Sequence, residues 1–254
     1  MEPFGIDECW LDVTGSTMLF GSGEQIADKI RTDIKRELGI TVSVGVSFNK
    51  IFAKLGSDMK KPDAVTVISR ENFKEKVWPL PVSDLLFVGK STATRLSENG
   101  VFTVGDVTRC DDGMLKRLLG KSGATLKCYA LGQDNSPVIT PTPDDMPKSV
   151  GRTTTPDHDI TTRQEVWRIL LELSEDISRE LHKKGLYAGS VQLHTRDTSL
   201  RVKETARSLG SPTNAEILLA RRAMEIFDEV YEWALPLRSV GFRAVNLKSE
   251  NFGV

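Results

Sequence analysis

The chain has 254 residues, more than one compact domain usually contains, and this length favours two or three domains. Its formal net charge of −1 at pH 7 excludes a uniformly basic nucleic-acid-binding protein, although a local basic surface would be hidden in that sum. The cysteines and histidines are too scattered for a zinc site, so we expect reduced thiols and a cytoplasmic protein. No apolar run could cross a bilayer and no signal peptide is evident, so we expect no membrane partner.

The beginning of the chain has the pattern of a strand followed by a helix. The segment CWLDVT, residues 9–14, predicts a strand. Apolar residues then recur at every fourth position from Ile26 to Leu38, and Gly39 supplies a stop, which predicts an amphipathic helix. A helix with one apolar stripe needs a flat partner to pack on.

Two further strands and a short helix complete this region. The strict alternation in TVSVGVSF, residues 41–48, predicts a half-buried strand. A short helix is predicted over residues 49–59, and AVTVI, residues 64–68, predicts another strand. We therefore expect a helix-backed antiparallel sheet over residues 1–76.

Two adjacent carboxylates, Asp7 and Glu8, lie directly ahead of the first predicted strand. Neighbours in a straight strand point to opposite faces, so joint metal binding needs a bend, which Gly5 just upstream permits. Phosphoryl transfer on two magnesium ions normally needs a third carboxylate, because hard cations require several oxygen ligands. Taken alone, the pair is also typical of an ordinary turn.

Three lysines, Lys50, Lys54 and Lys61, lie around the short helix and the turn before Pro62. Cations at these positions could face a triphosphate or its leaving pyrophosphate. The alternative for this stretch by itself is a solvated lysine surface.

Short apolar segments alternate with glycines from Leu80 to Gly132, which predicts a small all-helical domain. Within it, VGKSTATRL is a glycine turn that leads into a helix, and a hydrophobic segment restarts after Gly100. This pattern predicts a helix-hairpin-helix, whose backbone N–H groups can bind a phosphate. The letters GKST also resemble the end of a nucleotide-binding P-loop, but no glycine occurs between residues 57 and 88, which excludes that motif.

The second half begins after a linker-like segment, GQDNSPVITPTPDDMP, that is rich in proline and polar residues. The order that follows, β-α-β-β-α-β, predicts a four-stranded sheet with both helices on one face. The first of these helices carries an apolar stripe at Val166, Leu170, Leu173, Ile177 and Leu181, and the second is expected to turn Ile217, Met224, Phe227 and Tyr231 inward. The predicted strands lie near residues 148–155, 186–195, 199–207 and 237–247, and the helices over 163–183 and from about residue 213.

The strands of this half are basic and its helices are acidic. Arg201, Lys203 and Arg207 stand at odd-numbered positions, so in a regular strand they share one side. We therefore predict a basic open sheet face, which suits the phosphate backbone of a nucleic acid. The alternative is a solvated face without a ligand.

These segments, in this order, resemble the Y-family of translesion DNA polymerases over essentially the whole chain. GIDECWLDVT resembles the palm motif with its paired carboxylates, and TVSVGVSFNKIFAKLGSDMKKPD resembles the strand, helix and turn whose lysines approach the nucleotide. KSVGRTTT resembles the opening of the little-finger domain. The resemblance implies an α+β protein with a partial palm (1–78), a helix-hairpin-helix thumb (79–136), a linker (137–147) and a βαββαβ little finger (148–254).

The resemblance also implies roles for individual residues. Asp7 and Glu8 would be catalytic and would bind Mg²⁺ in the intact enzyme, while Lys61 and Lys54 would contact the triphosphate. The partners would be primer-template DNA and deoxynucleoside triphosphates, with a sliding clamp as a further candidate. The residues that would hold DNA are Gly89, Lys90, Ser91, Thr92, Arg152, Arg201, Lys203, Arg207 and Arg243.

The chain departs from the family in two respects. In the family, another segment precedes the palm motif and supplies the first metal-binding aspartate and the fingers, whereas here the motif begins at residue 5. Phe87 stands where many relatives have a glycine of the hairpin. We therefore expect the larger C-terminal part of a translesion polymerase, which binds DNA but is inactive alone. The alternatives are a non-catalytic DNA-binding or scaffold protein derived from the family, and a nuclease that uses the carboxylate pair.

Overall fold

The computed structural model describes residues 1–140 and 146–249. These form two compact units, within residues 1–143 and 144–254, and each unit has its own hydrophobic core. Both units combine helices with strands, which confirms the α+β class. Among the described helices, none has the length and apolar character that spanning a membrane requires.

The first unit begins with a small hairpin and a capped helix. Strands β1 (Glu2–Phe4) and β2 (Glu8–Trp10) pair antiparallel, and helices α1 (Thr17–Phe20) and α2 (Gly23–Leu38) follow. Ser22 caps α2 in a capping box, and the predicted stop at Gly39 is confirmed by its left-handed φ of 69°. The predicted strand over residues 9–14 was too long. It ends at Trp10 because the Asp12 carboxylate accepts the N–H of Thr14 in a turn.

A strand-helix-strand unit follows the hairpin and α2. Strand β3 (Val44–Ser47) leads into α3 (Lys50–Met59), and β4 (Val65–Ile68) lies beside β3. The two strands pair in parallel, so the predicted antiparallel sheet was wrong. The strands are parallel because helix α3 connects them as a crossover, which returns the chain to the end of the sheet where β3 began. Asn49 caps α3 by accepting the N–H of Phe52 at 2.8 Å.

The predicted all-helical region is confirmed. After α4 (Phe73–Val77) and a 3₁₀ turn, it consists of α5 (Lys90–Ser97), α6 (Val104–Arg109), α7 (Asp112–Leu119) and α8 (Lys121–Ala130). One continuous core joins Phe52 and Ile68 to Leu96, Leu115 and other buried residues of these helices. A domain boundary at residue 78 therefore stays a prediction. Of the predicted linker, residues 141–145 lie outside the described residues.

The second unit confirms the order β-α-β-β-α-β. Its sheet has the strand order β5-β8-β6-β7 with antiparallel pairing throughout. Both helices pack on one core, to which Val166, Leu170, Ile177 and Leu181 contribute as predicted. Ile217 was assigned wrongly: it is 40% exposed, because the buried face of the second helix begins at Leu219. The elements are β5 (Ser149–Thr154), α9 (Arg163–Lys183), β6 (Leu186–Asp197), β7 (Val202–Thr213), α10 (Glu216–Val230) and β8 (Leu237–Ser249).

Candidate active site and nucleic-acid interface

The carboxylate pair lies at the turn of the β1–β2 hairpin. Gly5 adopts φ = 76°, a left-handed conformation that favours glycine, and this supplies the bend that the sequence predicted. Asp7 therefore sits in the three-residue turn, whereas Glu8 begins β2 opposite Phe4. The turn removes the strict alternation of a straight strand, so both carboxylates reach the same cavity.

This cavity brings together the four residues predicted for the palm. It has a volume of about 620 Å³ and is lined by Asp7, Glu8, Lys54 and Lys61 at one side. The remaining lining is largely apolar and comes from α2 and β3, including Ile26, Ile30, Val44 and Val46. The cavity thus combines carboxylates, ammonium groups and an apolar wall.

Both lysines of the cavity are held in ion pairs. The Lys54 Nζ lies 2.9 Å from a Glu8 oxygen and 2.9 Å from an Asp58 oxygen, and the Lys61 Nζ lies 2.8 Å from Asp58. Burial lowers the pKa of Lys54, but the hydrogen bonds to Glu8 and Asp58 outweigh it and raise that pKa overall. Burial likewise raises the pKa of Asp58, but the hydrogen bonds from Lys61 and Lys54 leave it below its ordinary value.

Asp58 was not singled out from the sequence, although a signal for it exists. It stands four residues after Lys54 on the same helix, a spacing at which helical side chains meet, and it also binds Lys61, which follows the end of that helix. Lys50, by contrast, does not join the other two lysines. Its Nζ binds Glu2 at 2.6 Å and lies 4.7 Å from the centre of the Trp10 ring, so it ties the hairpin to α3.

The donor set of the cavity does not suit a two-metal centre by itself. Among the described residues there is no group of three or more His, Cys, Asp or Glu side chains that could hold a metal ion. Asp7 and Glu8 supply two carboxylates, and that of Glu8 is already bound by Lys54. Hard cations need more oxygen ligands than this pair offers.

The predicted helix-hairpin-helix is formed by α5 and α6. Gly89 is the N-cap of α5, and no side chain caps the N–H groups at the start of that helix, where Lys90, Ser91 and Thr92 lie. Gly100, in the turn between α5 and α6, has a left-handed φ of 76°. The backbone N–H groups at the start of α5 therefore lack a side-chain cap, and a phosphate role for them stays a prediction.

Phe87 has a left-handed backbone conformation, which usually favours glycine. Its φ of 69° is left-handed, which is uncommon for an aromatic residue, and its side chain is 67% exposed. The ring centre lies 6.2 Å from that of Tyr129.

The predicted basic face of the second unit was assigned to the wrong side of the sheet. Lys203 and Arg207 stand opposite the buried Thr195 and Val191, so they lie on the side that the helices cover. Arg207 binds Glu229 of α10, and the Lys203 Nζ donates to the Val230 carbonyl at 3.0 Å.

Two other predicted DNA contacts also fall outside the open face. Arg152 lies opposite the buried Phe242 and binds Glu180 of α9 at 2.9 Å. Arg201 is exposed in the turn between β6 and β7. The sequence correctly placed Lys203 and Arg207 on the same side of their strand. Which side of the sheet this is depends on the positions that the core buries.

Arg243 alone of the predicted set lies on the open face, within the described part of the sheet. It stands opposite Gln192 on β6 and Gly151 on β5. The carboxylate of Glu204, also on this face, accepts from Gln192 at 3.1 Å and lies 3.3 Å from His194 and 3.6 Å from Arg243. The open face is therefore polar with compensated charge.

A solved structure of a Y-family DNA polymerase chimera of Dbh and Dpo4 matches this chain with a TM-score of 0.78. The match covers 94% of this chain and 68% of the chimera at 22% sequence identity. A likeness at that identity concerns the fold, which is that of the Y-family polymerases.

Sequence comparison identifies the family. The impB/mucB/samB family model matches residues 1–58 and the model of that family's C-terminal domain matches residues 147–253, together more than half of the chain. The DNA polymerase IV of Acetivibrio thermocellus is 47% identical over 97% of this chain and 62% of the relative. That of Pelotomaculum thermopropionicum is 35% identical over 97% of this chain and 61% of the relative. The chain belongs to the impB/mucB/samB family of Y-family polymerases, and it spans about three fifths of the length of these relatives.

Proposed function

We propose that this chain is the larger C-terminal part of a translesion DNA polymerase. The observation that carries the proposal is the cavity in which Asp7, Glu8, Lys54 and Lys61 meet. In the intact enzyme a primer 3′-hydroxyl would attack the α-phosphate of a deoxynucleoside triphosphate opposite a damaged template base. The new phosphodiester bond would replace the bond between the α- and β-phosphates, and pyrophosphate would leave. Lys54 and Lys61 would bind the triphosphate, because ammonium groups form strong charge-assisted hydrogen bonds with phosphate oxygens.

The proposal assigns DNA contacts to both units. The uncapped N–H groups of Lys90, Ser91 and Thr92, next to Gly89, would bind phosphates of the DNA. Arg243 on the open face would contact the DNA backbone or a groove. Arg152, Arg201, Lys203 and Arg207 would act from the rims of the sheet, and those with acidic partners would have to exchange them for phosphates.

The open cavity supports the incompleteness of the catalytic centre. Within the described residues, β3 pairs with β4 on one edge and β2 pairs with β1 on one edge, so each has an edge left for another strand. We therefore assign Mg²⁺ to the intact enzyme, with Asp7 and Glu8 as two of its ligands and a further aspartate from the segment that precedes the palm motif in the family. The chain alone would bind primer-template DNA and synthesise none.

A second candidate is a non-catalytic DNA-binding or scaffold protein. One observation favours it: the carboxylate of Glu8 is held in an ion pair with Lys54, so it is less available to a metal ion. Recruitment by a sliding clamp and a cytoplasmic location stay predictions. The C-terminal segment NLKSENFGV has no evident clamp-binding peptide, and its residues 250–254 lie outside the described residues.

Primer extension tests the two candidates. The assay uses the 254-residue chain, a damaged template, Mg²⁺ and the N-terminal segment of the Acetivibrio thermocellus polymerase added in trans. We expect extension only with the added segment, and we expect Glu8→Gln to abolish it. Tight DNA binding without any extension would support the scaffold. Magnesium-dependent cleavage of the template would instead indicate a nuclease.

A further inference from the structure

The two lysines that line the cavity belong to one chain of four ion-paired side chains. Lys54 bridges Glu8 and Asp58 with two contacts of 2.9 Å, and Asp58 also holds Lys61 at 2.8 Å. Two positive and two negative groups thus form one chain of ion pairs. Glu8 and Lys54 belong to the proposed catalytic site, whereas Asp58 has no role in the proposed reaction.

Asp58 is placed to control both lysines at once. The Lys54 side chain is 15% exposed, and those of Asp58 and Lys61 are 44% and 55% exposed, so the pairs lie at the rim of the cavity. A polyanion that reaches either lysine must compete with the Asp58 carboxylate and approach it closely. Like charges at such a distance repel, and the repulsion grows with the charge of the arriving ligand.

We propose that Asp58 is a specificity residue that makes the lysine pair reject metal-free polyphosphates. Its carboxylate compensates Lys54 and Lys61, so that a highly charged polyphosphate gains little on binding. A polyphosphate complexed with Mg²⁺ carries less net charge and is repelled less. The inference rests on the proposed function, since it takes the lysine pair to be the triphosphate-binding site.

The opposite role would be preorganisation, in which Asp58 holds the lysines in place for phosphate. The two roles predict opposite changes in polyphosphate affinity when the Asp58 carboxylate is removed. Loss of a charge repulsion strengthens polyphosphate binding, whereas loss of a support weakens it.

The experiment measures binding of inorganic tripolyphosphate to the 254-residue chain by titration calorimetry, first in EDTA and then with saturating Mg²⁺. The variants are Asp58→Asn and, as a second substitution at the same position, Asp58→Ser. The matched control is Asp33→Asn, because Asp33 also bridges two cations, Lys29 at 3.0 Å and Arg36 at 2.7 Å, on the surface of α2. Thermal melting shows that each variant is folded.

We expect both Asp58 variants to bind metal-free tripolyphosphate on the order of fivefold more tightly than the wild type. The gain should be smaller with Mg²⁺, absent in Asp33→Asn, and abolished when Lys61→Met is added. Unchanged or weaker binding by Asp58→Asn, with Lys61→Met still weakening the wild type, overturns the inference and leaves the proposed function standing. A gain that does not depend on Lys61 or Lys54 overturns both the inference and the triphosphate assignment.

Discussion

Gly45 on β3 is the position where the fold of the first unit and the geometry of the cavity are most tightly connected. A Cβ atom at Gly45 would lie 1.8 Å from the Ala53 carbonyl oxygen and 2.6 Å from the Ser57 N atom. Both atoms belong to the backbone of α3, on either side of Lys54 in the sequence. No side-chain rotation relieves such a clash, so Gly45→Ala must push α3 away from β3 by roughly 1 Å or more.

Overpacking of this kind costs about 3 kcal/mol, the upper end of the usual range, because the obstacle is backbone. For a unit of this size that corresponds to a melting temperature lower by about 6–12 °C. The displacement should also lengthen the contact between Lys54 and Glu8. Both effects therefore follow from the same helix movement.

Chemical denaturation and thermal melting of Gly45→Ala measure the loss of stability. Gly15→Ala is the control, because a Cβ atom there would meet no atom within 4 Å. It should change the free energy of unfolding by less than about 0.5 kcal/mol. If Gly45→Ala melts within 1–2 °C of the wild type, roughly the scatter expected of neutral surface changes, the close packing of β3 on α3 is refuted.

Three other outcomes follow from the structure. Glu204→Gln should free Arg243 and raise the affinity for a primer-template duplex by about two- to fivefold in fluorescence anisotropy. The control Glu225→Gln, which frees Arg222 on α10, should leave the affinity unchanged. Equal affinities of Glu204→Gln and the wild type would contradict the assignment of Arg243 to the DNA-binding face. The N–H of Thr103 donates to Asp106 and lowers its pKa, so this carboxylate stabilises α6 above about pH 4 and the benefit is lost as pH falls further. Asp106→Ala should therefore cost about 1 kcal/mol at pH 7 by urea denaturation and much less at pH 3, and a pH-independent cost would exclude the capping carboxylate. Finally, DNA binding by the chain should weaken steeply between about 50 and 200 mM salt, and an affinity that salt does not change would argue against phosphate contacts.

The corrected position of the basic residues changes how the second unit would meet DNA. Arg152, Lys203 and Arg207 are held by acceptors on α9 and α10, and Arg243 faces Glu204. Exposed ion pairs of this kind contribute little to stability and exchange partners readily. The arginines would thus exchange their carboxylate partners for phosphates at a modest cost.

Local signals in the sequence were sufficient for the elements themselves. The fourfold repeat and Gly39 located α2, and the β-α-β-β-α-β order followed from alternating periodicities. Gly5 correctly indicated the bend that presents Asp7 and Glu8. These features depend on residues close together in the chain, and for that reason a single sequence contains them.

Only the tertiary structure decided which strands pair and which side chains share a surface. The parallel pairing of β3 with β4 and the helix-covered side of Lys203 both depend on partners brought together by folding. Strand periodicity separates two faces but does not say which one the core buries, because burial is set by the elements that pack against the sheet. The charge compensation in the cavity has the same origin, since Glu8 and Lys54 meet across 46 residues of chain.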